Sequence, residues 1–476
     1  MARAPAAGAE SPPEALPIRI PPLLLVVLVA LVTPVFADLG GLRLSPTRVL
    51  FLALVPVLTI RLLMGRYGRP RLVDALMYLH VFWLALSIAV NNRDAFVTFV
   101  GSNALILLGG YLVGRATIRD AADMRGFALV LGTLVACSLP FAIYETVTAR
   151  MVIPPLIDRL PFVFSNYNIN YDRRLGFDRV QFVFAHPIHY GLWCSLAFSL
   201  VFVGLRGRVG FIKRTIWTAI IGVSTFLSLS SGPFLAMMTQ LPLAAYGFAT
   251  RRFAWSWKAF MIVFAIVYVI LDLLSDRPAY LAIISRLTFS SSTTYIRYTL
   301  LQFGFRQIER TPFLGVGYNE WELPHYMTGS LDNYWLMTAL VYGVPAFVFL
   351  FGAFLLTLIA AGRRPFATDG PLWNLRFGWA LVMVGLGFAL ATVAVWSEMA
   401  SMTFLMIGAG VWFADATETA TDPAPAPAGG PAGAPSRAPR YSRFGDAVPA
   451  PPRRHPPRDR FARQRPSGTP PPEPAE

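Results

Sequence analysis

Charge is scarce in this chain. Only 14% of its 476 residues are Asp, Glu, Lys or Arg, whereas 55% are hydrophobic and the mean hydropathy is positive. That balance excludes an ordinary soluble domain and points to a protein that crosses a membrane several times. Cysteine is scarcer still: Cys137 and Cys194 both fall inside apolar stretches, where single thiols serve as small packing groups. They support neither a disulfide framework nor a metal site built on cysteine spacing. The Asp-x-Asp pair with which nucleotide-sugar transferases commonly hold a metal is also missing from the sequence. Acidic residues are outnumbered, 26 against 41 basic ones, for a formal charge of +15. The excess is spread among the connections between apolar spans and along the tail, not gathered on one basic domain. It argues against nucleic acid as a partner and for membrane topology written in arginine.

What is present is a succession of apolar stretches, each long enough to cross a bilayer as a helix. Spans are predicted at roughly 21–37, 46–64, 72–90, 95–114, 126–147, 183–205, 214–231, 233–250, 256–274, 333–360, 374–394 and 397–414. The first ends in Val35-Phe36-Ala37, which offers a signal-peptidase site. The segment before it is long and carries little positive charge, so the stretch is read as the first membrane helix.

Arginine and lysine then set the orientation. They crowd the even-numbered connections, as in Arg66, Arg69 and Arg71, or Arg206, Arg208, Lys213 and Arg214. Those connections and both termini are expected in the cytoplasm. Two long connections, 148–182 and 275–332, are odd-numbered and come out together on the opposite, periplasmic side. The expected fold is an all-α polytopic membrane protein of about twelve helices. It comprises a cytoplasmic segment (1–20), a membrane domain (21–414) and a Pro/Arg-rich cytoplasmic tail (415–476). The tail has almost no apolar residues from which to build a core and is expected to be disordered. Its arginines can rest on anionic lipid or meet a partner.

The first long loop carries Arg173, Arg174 and Arg179, where the positive-inside rule gives arginine no topological task. They either pair with Asp172 and Asp178 or bind a ligand. His186 and His189 stand at the mouth of the sixth span and either satisfy helix-start groups or face that ligand. Their His-x-x-His spacing lacks a third metal ligand. In the second loop, Thr293 to Arg310 reads as an amphipathic helix stopped before Thr311-Pro312. Arg297 and Arg306 are half a turn out of phase on it, and Arg297, beside Tyr295 and the apolar face, is taken as the inward one. Gly315 and Gly317 permit a tight turn or a close approach to a ligand. Ser330 and Asp332 suit caps of the next helix, and a capped helix end at Asp332 aimed at an outer chamber would also favour an anion.

Several of these pieces together resemble the bacterial O-antigen ligase and O-antigen/exopolysaccharide polymerase superfamily. They are Arg179 followed by His186-Pro187 and Gly191, then Leu227-Ser-Leu-Ser-Ser-Gly232, then Tyr295-x-Arg297. The most specific are Thr311-Pro-Phe-Leu-Gly-Val-Gly317 and Asp332-Asn-Tyr-Trp-Leu336 with Tyr342-Gly343. The resemblance spans about residues 75 to 360. It implies a GT-C-like helical bundle that moves a glycan from an undecaprenyl-diphosphate lipid to a hydroxyl acceptor. Ligases of the family carry a His-Asn pair where this chain has Asp332-Asn333, so the polymerase branch is favoured over a ligase acting on lipid A-core. A lipid-linked-oligosaccharide transporter is the alternative of another class.

On that reading, Arg179 and Arg297 grip the donor diphosphate while Asp332 receives or orients the acceptor hydroxyl. Arg174, His186 and His189 from the first loop are expected to line the substrate site. Arg286, Tyr295, Gly315, Gly317, Tyr318, Asn333 and Tyr334 join them from the second. A single displacement inverts the anomeric centre, and no cofactor or metal is expected. Expected partners are the lipid-linked oligosaccharide, membrane lipid, and flippase and chain-length regulator proteins of the inner membrane.

Overall fold

The computed structural model describes residues 17–39, 42–167, 171–253, 255–274, 291–324 and 331–418. Among them, sheet is confined to a small hairpin, β1 (Ala37–Leu39) against β2 (Leu42–Leu44), which pairs Ala37 with Leu44 and Asp38 with Arg43. The rest is helical: α1 (Pro22–Leu31), α2 (Pro46–Leu63), α3 (Leu72–Asn91), α4 (Phe96–Thr117), α5 (Ala121–Thr148), the short α6 (Ile153–Ile157) and α7 (Pro187–Ser199). There follow α8 (Phe211–Leu227), α9 (Ser231–Ala249), α10 (Ser256–Leu274), α11 (Ser291–Arg310), α12 (Tyr334–Tyr342), α13 (Val344–Gly362), α14 (Pro371–Leu390) and α15 (Ser397–Gly410).

Nine described helices are long and apolar enough to cross a membrane. The chain is an all-α, multi-pass membrane protein. Three expected spans fall on α1, α8 and α9, which are too short or not apolar enough to meet the same measure. A fourth expectation needs correction: the stretch 333–360 is not one helix. Gly343 adopts φ +90° and separates α12 from α13, where Pro345 restarts the helix at its first turn.

Two helices form the centre of the bundle. The windows around Pro187–Gly204 and Ser397–Ala414 are each 89% buried within the protein, so they meet neighbouring helices rather than lipid. α15 packs on α4 with backbones almost touching: Gly110 lies against the Ser401 carbonyl, Gly114 against Leu405 and Gly408 against Tyr111. Small residues permit that approach, and dispersion across it replaces the hydrophobic drive that lipid does not supply.

The connections sort into two ends. At one, Arg19 pairs with Asp120 and Asp123, Arg71 with Asp415, and Arg206 and Arg251 with Asp369. Buried Arg115 meets Asp74 at 3.3 Å and donates to the Tyr67 and Arg69 carbonyls. Here the first residues of the expected tail are tied back, since Glu418 accepts from the Ala367 amide. Residues from 419 onward lie outside the described set. At the other end, Phe36 pairs through its backbone with Phe164, Asn92 meets Tyr318, and Tyr334 donates to the Val393 carbonyl. The odd-numbered connections thus touch one another, and the arginine-rich even-numbered ones do likewise.

Candidate functional site

The odd-numbered end is organised by the segment that follows Tyr171. Arg174 and Phe177 exchange two backbone hydrogen bonds of 3.0 Å around a turn in which Leu175 and Gly176 are both left-handed. Arg173 pairs with Asp178 at 3.0 Å. The other two arginines turn inward onto the non-helical break between α8 and α9. Arg174 donates to the Leu229 carbonyl at 3.0 Å, and Arg179 donates from Nη2 to the Ser230 hydroxyl at 2.9 Å. Leu229 is itself left-handed, at φ +45°, which exposes its carbonyl to that contact.

Arg179 is an under-satisfied cation. Its guanidinium lies 5.6 Å from the centre of the Tyr171 ring. Its Nε is buried without a hydrogen-bond partner. Burial and then the neighbouring Arg174 push its pKa down to about 10, opposed by Tyr171, Asp172 and Asp332. The arginine of the first loop therefore senses the carboxylate of the second.

His186 caps α7, its Nδ1 accepting from the Ile188 amide at 3.0 Å. Its ring meets Tyr171 edge-on at 4.8 Å and Trp396 at 5.9 Å. Burial, Arg179 and Arg174 lower its pKa to about 4, so it is a neutral acceptor at physiological pH. His189 lies one turn into α7, 2% exposed, with its ring 4.0 Å from Trp396 and its Nε2 unpartnered.

Of the Asp332-Asn333 pair, Asn333 is the helix cap: its side chain accepts from the Leu336 amide at 3.0 Å. Capping was an open role for Asp332, and Asn333 takes it. Asp332 instead borders, beside Asn333, a small open cleft lined by Leu300 and Leu301 of α11, Leu331, Ala391 and Thr392. Position 297 lies one turn before Leu300 and Leu301 on α11. The side chains of Tyr295 and Arg297 lie outside the described residues, as do Arg286 and Ser330. Farther along α11 the guanidinium of Arg306 lies over Phe303, and Arg310 pairs with Glu322 at 2.6 Å.

The Gly-x-Gly segment is placed differently from a ligand loop. Gly315 and Gly317 are left-handed, and a Cβ on them would overlap the Val341 carbonyl and the Asn92 side chain. The loop serves the helix break at Gly343: the amides of Val316 and Gly317 donate to the Leu340 and Val341 carbonyls at 2.9 Å. Those acceptors lost their helical partners when the chain broke. Ser87, Asn91 and Trp83 of α3 hold the same loop through its 313–315 carbonyls. Tyr318 is locked by Phe99 at 4.2 Å, by Asn103 and by Tyr342. Tyr334 is buried in the core.

Arg174, Arg179, His186, His189 and Asp332 are therefore brought to one region. Gly315, Gly317, Tyr318 and Tyr334 do framework work beside it. Sequence reasoning gave no role to Ser230, Tyr171 or Trp396. Ser230 had a signal in Ser-Ser-Gly-Pro, which opens α9, but its partner Arg179 is distant in sequence. Four helix N-termini converge here, those of α7, α9, α12 and α15, through His186, Ser230, Asn333 and Trp396. Gly232 at the start of α9 abuts Val393, whose carbonyl receives the Tyr334 amide. Such ends concentrate positive potential, and Arg179 adds to it. The region suits an anion with an adjacent hydroxyl-bearing group. A comparison with protein-family models and with curated proteins finds no match to the chain.

Proposed function

We propose that this protein is a membrane glycosyltransferase of the O-antigen/exopolysaccharide polymerase type. It joins undecaprenyl-diphosphate-linked oligosaccharide repeat units at the periplasmic face of the bacterial inner membrane. The observation that carries the reading is Arg179, buried with an unpartnered Nε against the Ser230 end of α9 and influenced electrostatically by Asp332 of the second loop, among converging helix N-termini. The arginine-tied end faces the cytoplasm under the positive-inside rule, and with twelve crossings both termini lie there and the site on the outside.

In the reaction, an acceptor hydroxyl oxygen bonds to the anomeric carbon of the donor sugar as the bond from that carbon to the diphosphate oxygen breaks. The bonding pair leaves with undecaprenyl diphosphate, and the configuration inverts. Arg179, with Arg297 and the N-terminal amides, stabilises charge on the departing diphosphate. Asp332 orients the hydroxyl and accepts its proton. His186, neutral at working pH, adds no charge to the site.

Full-length protein in liposomes, with all donor on the leaflet facing the site, tests this. A ladder of glycan lengths on the lipid is expected. One transfer per acceptor would instead indicate a ligase. No glycosidic bond formation would refute the enzyme and leave a transporter, which has nothing to do with donor already across.

A further inference from the structure

The geometry points to Glu145 as the positioning residue that holds Arg179 in place for the donor. The inference rests on the reading of Arg179 as the diphosphate-gripping group.

Glu145 stands in the last turn of α5, only 6% exposed. Neither its helix nor its surroundings explain it. A carboxylate near a helix C-terminus meets the negative end of the helix dipole, and burial of an anion is costly. Among the described residues no arginine or lysine forms an ion pair with it. Its two oxygens are instead spent on successive backbone amides: Gln181 donates to Oε1 at 2.8 Å and Phe182 to Oε2 at 3.0 Å. Each oxygen thus serves one amide, an arrangement that a glutamine, with an NH2 in place of one oxygen, would not reproduce.

These amides follow Arg179 by two and three residues. Thr146, next to Glu145, donates to the carbonyl of Asp178 at 2.8 Å, just before Arg179. Val180 between them donates to the Leu227 carbonyl at 3.1 Å. Phe182 is held at φ +56°, a conformation that a phenylalanine rarely adopts. Its ring lies between Phe141 of α5 and Tyr190 of α7. The strained turn thus depends on the carboxylate behind it, and the turn sets the direction in which Arg179 leaves the backbone.

The test compares wild type with Glu145→Gln, which puts an NH2 in place of one acceptor oxygen, and Thr146→Val, which releases Asp178 alone. Full-length protein is treated with phenylglyoxal, and the modification of Arg179 is followed by peptide mass, with Arg310 as the reference site. Transfer kinetics are measured on the same preparations. Arg179 should be modified several-fold faster in Glu145→Gln, with Arg310 unchanged. Turnover should fall roughly 10- to 100-fold at an unchanged KM for the acceptor, the scale expected for a displaced reacting group. Thr146→Val should show both effects more weakly, and it carries the test if Glu145→Gln does not fold. An unchanged Arg179 modification rate in every folded variant overturns the inference, whatever the activity. Faster modification in a protein whose wild-type form transfers no glycan supports the positioning and sinks the proposed function.

Discussion

Replacing Arg179 by methionine separates chemistry from stability, because the structural terms nearly cancel. Burial and Arg174 bring the Arg179 pKa down from the ordinary arginine range to about 10. At about 1.36 kcal/mol per decade the folded protein pays at most ~3.4 kcal/mol to keep the group charged at neutral pH. Partial solvent access discounts this to roughly 1–2 kcal/mol, which methionine relieves. Against it stand the lost hydrogen bond to Ser230 and the contact with Tyr171, together about 1.5–3 kcal/mol. Net stability should change by no more than about 1–2 kcal/mol, a shift of a few degrees in melting temperature. Turnover should fall by roughly 10²–10³, the scale for removing one transition-state donor. Arg179→Lys should recover part of it, since the charge returns without the fork. Wild-type activity should fall as pH rises through about 10, where Arg179 loses its proton. The assay is ladder formation from outer-leaflet donor, read beside thermal unfolding of the same protein in detergent. Near-normal ladders from Arg179→Met would refute the reasoning. So would a collapse in melting temperature that accounts for the lost activity.

Asp332→Asn should retain the fold, because Asn333 is the cap, and should lower turnover by about 10²-fold or more. Asn333→Ala should instead cost about 1 kcal/mol of stability in thermal unfolding. His186 has a folded pKa of about 4 against an ordinary 6.5. The unfolded chain then binds more protons between those values, so the stability contributed at neutral pH is lost as pH falls from 6.5 through 4. His186→Asn, which keeps a capping group, should flatten that slope when melting is compared at neutral and acid pH. Gly343→Ala meets a left-handed φ of +90° and would drive its Cβ into the Phe313 carbonyl. It should destabilise by about 3 kcal/mol or more, seen as loss of folded protein on size exclusion.

Membrane spans were legible because length and hydropathy are local properties, and α2 to α4 begin and end within about three residues of the predicted stretches. The sorting of connections was legible for a similar reason: arginine in a short loop marks its side of the membrane. Arg179 was legible as a loop arginine to which the positive-inside rule gives no task, and Asp332 as a polar residue at a helix start. Most of what escaped depends on partners remote in sequence. The capping bond is local, from Leu336 to Asn333, and there the difficulty is that Asp332 and Asn333 are both good caps side by side. Nothing near Gly315 and Gly317 says that they fill a helix break some 25 residues later in the chain. Glu145 inside an apolar helix gives no hint of the two amides it binds.

The two ends differ in how their arginines are satisfied, and that difference locates function better than charge does. At the cytoplasmic end of the proposed topology, Arg115 closes on Asp74 and two carbonyls, while Arg206 and Arg251 share Asp369. Arg364 donates to the Ala414 carbonyl, and Arg376 to that of Arg364. Such arginines staple loops together and have little left to offer a ligand. At the opposite end Arg179 spends one donor on Ser230, and its Nε stays buried and unpaired. Native proteins seldom leave a buried donor unused, because each one costs stability. An unpaired donor beside a strained turn and among helix N-termini makes sense if an anion arrives to complete it. Donor lipid should therefore stabilise the wild type against heat and leave Arg179→Met unmoved. Equal stabilisation of the two proteins would place the diphosphate elsewhere.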